Sequence, residues 1–241
     1  MSAERNRARA ALWGLALGDA LGMPSQTLPR EEIRARYGRI IGFVAPYADH
    51  PVSHGLAAGA VTDDTEQVML LAERLIRAPD RFDEAGWVQD LLGWEDDVKR
   101  RGLRDLLGPS TKAALEAIAG GASPDEAAKG GTTNGAAMRI APVGIATPLT
   151  DMGRFVDRVE AACRVTHNTG EAIAGASAVA AVVSAGIRGA AFEDALSAAL
   201  DACDEGQRRG HPAGESDMTG RIAAALSLAQ SGATIERIAE V

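Results

Sequence analysis

Residues 59–76, GAVTDDTEQVMLLAERLI, set three acids, Asp63, Asp64 and Glu66, within four positions directly ahead of an apolar run. Two chemistries fit this spacing. With Asp63 as N-cap and Glu66 three residues later, the acids form a capping box, and negative charge at a helix start is favoured by about 0.3–1 kcal/mol per group. That account gives Asp64 no task and leaves the hydroxyls of Thr62 and Thr65 unexplained. At the mouth of a helix, consecutive side chains fan away from the axis, so Thr62, Asp63 and Asp64 can turn several hard oxygens toward one point. Such a set suits Mg²⁺, Mn²⁺ or Ca²⁺ rather than zinc. The helix dipole opposes a cation there, so the carboxylates would have to outweigh it. Spacing alone leaves both accounts open.

A second constellation is GGTTNGAAMRIAPVG, residues 130–144. Glycines, threonines and Asn134-Gly135 ahead of an apolar helical run make a loop whose backbone can approach a ligand, with N–H groups able to receive phosphate. The P-loop lysine is missing, and Arg139 is expected to add a charged contact. The alternative is a tight turn with ordinary caps. In VTHNTGE, 165–171, Asn168 with Glu171 three residues on marks a helix start. His167, one residue earlier, should project near that start, for structural hydrogen bonding or for ligand contact. His50 and His54, in DHPVSH, have no evident third nitrogen or sulfur ligand and read as surface or loop-packing residues.

The elements that must position these groups read as nearly all helix. Helical periodicity, caps and breakers place helices at 3–21, 29–37, 64–77, 84–99, 110–119, 152–165, 169–187, 190–203 and 217–230. In the third of these, Val68, Leu71, Ala72 and Leu75 repeat on one face. In the first, Gly14, Gly18 and Gly22 share a face that should be packed against another backbone. Pro29 is expected at N1 of the second, which stops at Gly38. Ser123-Pro124-Asp125-Glu126 is a further capping box. The segment 38–61 carries no sustained helical period and reads as a long, functional loop. The apolar, alanine-rich stretch 172–187 is 16 residues long, short for a membrane span, and reads as a central helix buried all round.

The 241 residues, 46% apolar and 24% charged, carry no repeat or composition break and read as one all-α domain, 1–241. A net charge of −8 and a pI near 5.1 argue against a nucleic-acid surface. Two cysteines in no CxxC spacing argue against a disulfide framework or zinc ribbon, and the amino terminus lacks the apolar core of a signal peptide. A cytoplasmic protein without membrane partners is expected.

Taken together, GLALGDALGMPSQ (14–26), GAVTDDTEQ (59–67), GPST (108–111), GGTTNGAAMRIAPVG (130–144) and THNTGEAIAGA (166–176) resemble, in order and spacing, the ADP-ribosylglycohydrolase family. That family includes the glycohydrolase that releases ADP-ribose from dinitrogen reductase. The resemblance implies an all-α fold with a binuclear Mg²⁺ site in a cleft. It implies that Thr62, Asp63 and Asp64 hold metal, with Asp63 and Asp64 catalytic. It further implies that Gly131, Thr132, Thr133, Asn134 and Gly135 bind the diphosphate and ribose, and that His167 contacts ligand. The implied partner is an ADP-ribosylated protein or a smaller ADP-ribosyl or ribosyl compound. With the resemblance, metal becomes the favoured account of the acids.

Two departures accompany it. Hydrolases of the family often carry a glutamate eight residues after the glycine of the GD pair, and counting from Gly18 that position holds Gln26. The family's second metal motif, an Asp-x-Asp-Thr near the carboxyl end, has no match. The last residues begin an amphipathic helix at Thr234 and stop at Val241 without a breaker, the pattern expected of a domain lacking its C-terminal part. A non-catalytic ADP-ribose-binding or structural relative is the other function class.

Overall fold

The apolar periodicity of the chain is realised as helix throughout. A computed structural model describes residues 2–103, 106–214 and 217–241. In chain order the helices are α1 (Ala3–Gly22), α2 (Arg30–Tyr37), α3 (Asp63–Arg77), α4 (Glu84–Arg100), α5 (Pro109–Ala119), α6 (Pro124–Ala128), α7 (Gly135–Arg139), α8 (Ala141–Ala146), α9 (Met152–Cys163), α10 (Gly170–Arg188), α11 (Phe192–Gln207), α12 (Met218–Gln230) and α13 (Ile235–Ile238). A 3₁₀ turn, Met23–Ser25, follows α1. Among the described residues there is no strand, only an isolated bridge between Thr169 and His211.

Helix α10 is the hub. It packs on α7, α8, α9 and α11, and more lightly on α1 and α12. Its alanine-rich sequence forms helix readily and presents little bulk, so neighbours come close. At 19 residues it is long and apolar enough to cross a membrane by those measures alone, but most of its surface is taken by the core. Burial is not complete on every side, since Val179 is 40% exposed. The main core joins Leu71 and Leu75 of α3, Trp87 and Leu91 of α4, Phe155 and Val159 of α9, and Ile173 and Ala180 of α10. This core fixes α3, α7 and the start of α10 relative to one another, and these three elements carry the site.

Local signals are mostly honoured. Side chains of Ser2, Asp83, Ser123, Asp151, Thr169, Asp217 and Thr234 each accept a backbone N–H at a helix start. The cap of α10 is Thr169 rather than Asn168, whose amide instead donates to Asp125 Oδ1 at 2.7 Å. Pro29 is the N-cap of α2 rather than its first residue. Residues 38–62 form no helix, and His50 lies buried within that segment, its Nδ1 accepting from the N–H groups of Val52 and Ser53 at 3.1 and 2.8 Å. Both cysteines are free and buried.

The expectation for α1 is corrected. Gly14, Gly18 and Gly22 have open space where a Cβ would stand, and Trp13 beside them is 65% exposed. The helix meets α3 and α10 through its opposite side, around Ala20. Close backbone approach occurs instead between α10 and α11, where a Cβ at Gly206 would lie 2.7 Å from Ser177 Oγ and 3.0 Å from Ala174 Cα. In urea denaturation we therefore expect Gly206→Ala to lose about 1–3 kcal/mol through overpacking. Gly18→Ala should be neutral or gain roughly 0.5–1 kcal/mol from helix propensity. An equal loss at both positions would contradict the packing described.

Candidate active site

The first turn of α3 carries Asp63 and Asp64, yet neither caps it, and Thr62, the N-cap residue, makes no side-chain capping bond. The cap comes from another helix. Asp19, near the end of α1, places Oδ2 2.8 Å from Thr62 N, 3.2 Å from Thr65 N and 2.5 Å from Thr65 Oγ1, while Oδ1 accepts from Thr62 Oγ1 at 2.7 Å. One carboxylate thus takes four donors at a helix start, where the dipole also favours negative charge. The capping box of Asp63 with Glu66 does not form. Glu66 turns aside to accept from Trp94 Nε1 at 2.7 Å and from both terminal nitrogens of Arg101. The hydroxyls flanking the acids serve Asp19 first, with a longer 3.4 Å bond from Thr62 Oγ1 to Asp64 Oδ2, and Asp63 and Asp64 line the cleft.

That cleft, about 360 Å³, is lined by Gln26, Asp63, Asp64, Pro109, Thr133 and Asn134, among others. A larger recess of about 680 Å³ between the α3–α4 connection and α9 contains none of the expected site residues. Asp63 is only 6% exposed, and its carboxyl is pushed up to about 7, first by burial and then by the charge of Asp64. Asp64 is pushed up as well, by burial and by Asp19. Crowded acids that resist ionisation describe a site short of positive charge. Among the described residues no group of three or more His, Cys, Asp or Glu side chains is arranged to hold a metal ion. What is present is two carboxylates plus Thr62 Oγ1, whose proton is shared between Asp19 Oδ1 at 2.7 Å and Asp64 Oδ2 at 3.4 Å and whose lone pairs take no part in either bond. Those hard oxygens fit the protein share of one Mg²⁺ shell, an ion that keeps several waters. A second ion finds no ligand set of its own among them.

The opposite wall is the 130–135 loop. Thr133, Asn134 and Gly135 line the cleft, with α7 starting at Gly135 and carrying no side-chain cap. Gly131 faces the other way, its missing Cβ leaving room for Thr166 O and His167 Cα, and Thr132 is exposed outside the lining. His167 is fully buried. It reaches the cleft only through Thr133, whose Oγ1 lies 2.9 Å from Nε2, and its ring lies where a Cβ at Gly135 would be. On its other side Nδ1 lies 2.8 Å from Thr166 Oγ1. Burial, and then the charge of Arg139, hold its pKa down to about 3, so the ring is neutral. The expected charged contact from Arg139 does not reach the cleft. Its side chain is 1% exposed, donates to Gln67 Oε1 at 2.6 Å and to Thr166 Oγ1, and lies 5.7 Å from the Trp87 ring centre.

Sequence reasoning missed Asp19 and the Arg139–Thr166–His167–Thr133 chain. Asp19 had one visible signal: it is the only charge between Arg9 and Arg30. Gln26, the position where the resemblance leads one to expect glutamate, lines the same cleft as Asp63 and Asp64.

A family model described as ADP-ribosylglycohydrolase matches residues 1–241. The uncharacterized protein YegU of Escherichia coli (strain K12) is 30% identical over 230 residues, covering 95% of this chain and 69% of that protein. ADP-ribosylarginine hydrolase Tri1 of Pseudomonas putida (strain GB-1) is 31% identical over 204 residues, covering 81% of this chain and 50% of its own length. The chain therefore spans between half and about two thirds of such relatives. A solved structure titled ADP-ribosylglycohydrolase-related protein complex superposes with a TM-score of 0.66 at 26% identity, covering 94% of this chain and 76% of that one.

The buried acids set a pH dependence. Folded Asp63 keeps its proton to about pH 7 whereas the unfolded residue releases it near 3.8, so between these values the folded state binds more protons. The Asp63 contribution to the stability of the metal-free protein therefore falls as pH rises through that window, while His167, held down to about 3 when folded, contributes in the opposite sense. With urea midpoints measured in EDTA, Asp63→Asn should gain stability relative to the unaltered protein as pH rises through the window. A difference between the two proteins that stays constant over it would refute the burial of this acid.

Proposed function

The chain belongs to the ADP-ribosylglycohydrolase family, and on that footing we propose that it is a Mg²⁺-dependent hydrolase cleaving the bond between ADP-ribose and a protein side chain. A smaller ADP-ribosyl or ribosyl compound is the other substrate of this class, and the cytoplasm the expected location. One observation carries the reading: with Asp19 capping α3, Asp63 and Asp64 project into a cleft whose far wall is the Thr133–Gly135 segment. Two acids that do not cap their own helix face a loop able to hold a phosphorylated sugar.

Cleavage at the ribose C1 passes through an oxocarbenium-like state, so ribose must be held, water delivered and the leaving group stabilised. Asp63 and Asp64, backed by Thr62, would hold Mg²⁺, and the complete site of two ions would draw further ligands from elsewhere. When bound, the ion supplies positive charge that orients the ribose hydroxyls and makes nearby water more acidic. One of the two carboxylates would also be placed to accept a proton from water in the cleft. The N–H groups at the start of α7 and the Thr133 hydroxyl would position the diphosphate and ribose.

A binding-only reading is favoured by one observation. Gln26 lines the same cleft, where hydrolases of the family often carry glutamate, and its amide donates to Ser53 Oγ. An amide cannot exchange a proton as a carboxylate does. Release of ADP-ribose from peptides modified at arginine or serine, followed with Mg²⁺ or with EDTA, separates the two. We expect Mg²⁺-dependent release that Asp64→Asn lowers roughly a hundredfold or more, with the thermal transition retained. ADP-ribose binding without release would make the chain a binding module, and normal release by Asp64→Asn would return the acids to a structural role.

A further inference from the structure

The buried side chains behind Thr133 form a chain whose polarity can be deduced by counting protons. Arginine has donors only, so Arg139 must donate to Thr166 Oγ1 and to Gln67 Oε1. Gln67 turns its oxygen to the guanidinium although this leaves its buried Nε2 without a partner. His167 is a neutral ring, with one nitrogen protonated and one bare. If Nδ1 carried the proton, Thr166 would accept from both Arg139 and His167. Its own hydroxyl proton, fully buried, would then have no acceptor, since Arg139 and His167 are the only hydrogen-bond partners of that side chain among the described residues. With Nδ1 bare, Thr166 accepts from Arg139 and donates to His167, and the Thr166 hydroxyl and both ring nitrogens are satisfied. An orphaned buried hydroxyl disfavours the first arrangement roughly tenfold.

The second arrangement has a consequence at the surface. Nε2–H must donate to Thr133 Oγ1, 2.9 Å away, and the Thr133 proton is then released to the cleft that Thr133 lines. In the other tautomer Thr133 would spend its proton on the ring and offer the cleft only a lone pair. We propose that Arg139, sealed beneath the cleft, is a positioning residue that fixes the Nε2–H tautomer of His167 through Thr166 and so makes the Thr133 hydroxyl a donor to an acceptor oxygen of the ligand. The ligand atom selected there has lone pairs and no proton to give, such as a phosphate or carboxylate oxygen. Gly135 is part of the device, because any side chain there would displace the ring. The inference extends the reading that the cleft takes ADP-ribose, but the wiring belongs to the free protein.

Two measurements test it. In protein labelled with ¹⁵N-histidine, with no ligand present, the His167 ring should show a protonated Nε2 and a bare Nδ1, and Thr166→Val should abolish this fixed pattern. A protonated Nδ1 in the unaltered protein overturns the proposal. With ADP-ribose as the probe in calorimetry, Thr133→Val should weaken binding roughly tenfold and Thr133→Ser should recover most of the loss. Thr166→Val should weaken binding several-fold on its own and add nothing in the Thr133→Val background, because its effect travels through that hydroxyl. A Thr166→Val loss that persists undiminished in that background overturns the proposal. Failure of the unaltered protein to bind ADP-ribose overturns the functional reading instead, and the ring spectrum still decides the wiring.

Discussion

The site depends on a carboxylate that never enters it. A helix beginning at Asp63 exposes unpaired N–H groups, and had Asp63 or Asp64 bent back to satisfy them, no acid would remain for chemistry. Asp19 removes that demand by accepting from two backbone and two hydroxyl donors. The arrangement ties α1 to α3 across more than forty residues of chain, so the two acids are set in place by tertiary structure rather than by their own segment. It also adds a third negative charge nearby, which is part of why Asp64 resists ionisation.

On the far wall the same division of labour appears. Arg139 and His167 are sealed, and only Thr133 meets the cleft. A buried guanidinium without a carboxylate partner is unusual, and burial pulls its pKa down to about 10. Its hydrogen-bond partners are neutral, and the charge of Asp63 offsets part of its burial cost, while the loop shows the cleft hydroxyl, amide and backbone groups. The cleft thus sits between an edge carrying two carboxylates and a loop of hydroxyl, amide and backbone groups.

Much of this was legible in the sequence, and the remainder failed for identifiable reasons. Helix positions followed from periodicity and caps, usually within a residue or two, because α3, α9 and α11 each bury one stripe. The acids at 63 and 64, the 130–135 loop and Gln26 were marked by their types and order, and the structure brings Asp63, Asp64, Thr133, Asn134, Gly135 and Gln26 to one cleft. What spacing could not tell was which acid does which task. Asp63 with Glu66 is a sound local cap, and only tertiary contact shows that Asp19 has displaced it and that Trp94 and Arg101 hold Glu66. Arg139 looked like a ligand contact because arginine is usually exposed, and only its burial shows otherwise. The glycine stripe of α1 was misjudged for the reverse reason, since small residues permit close packing but do not oblige it.

The seam between α10 and α11 carries a consequence for how such a chain can diverge. Ala174, Ala178, Ala199 and Cys203 meet there, bordered by Val182, Met218 and Ile222, and Gly206 lies directly against the α10 backbone at Ile173 and Ala174. A gain of volume at Gly206 meets backbone rather than a movable side chain and must shift the start of α10, beside the Thr166–Thr169 segment. Lineages that alter this seam should therefore do so by compensated pairs, larger on one helix and smaller on the other, while the lone changes accumulate on the outer faces of α12 and α13.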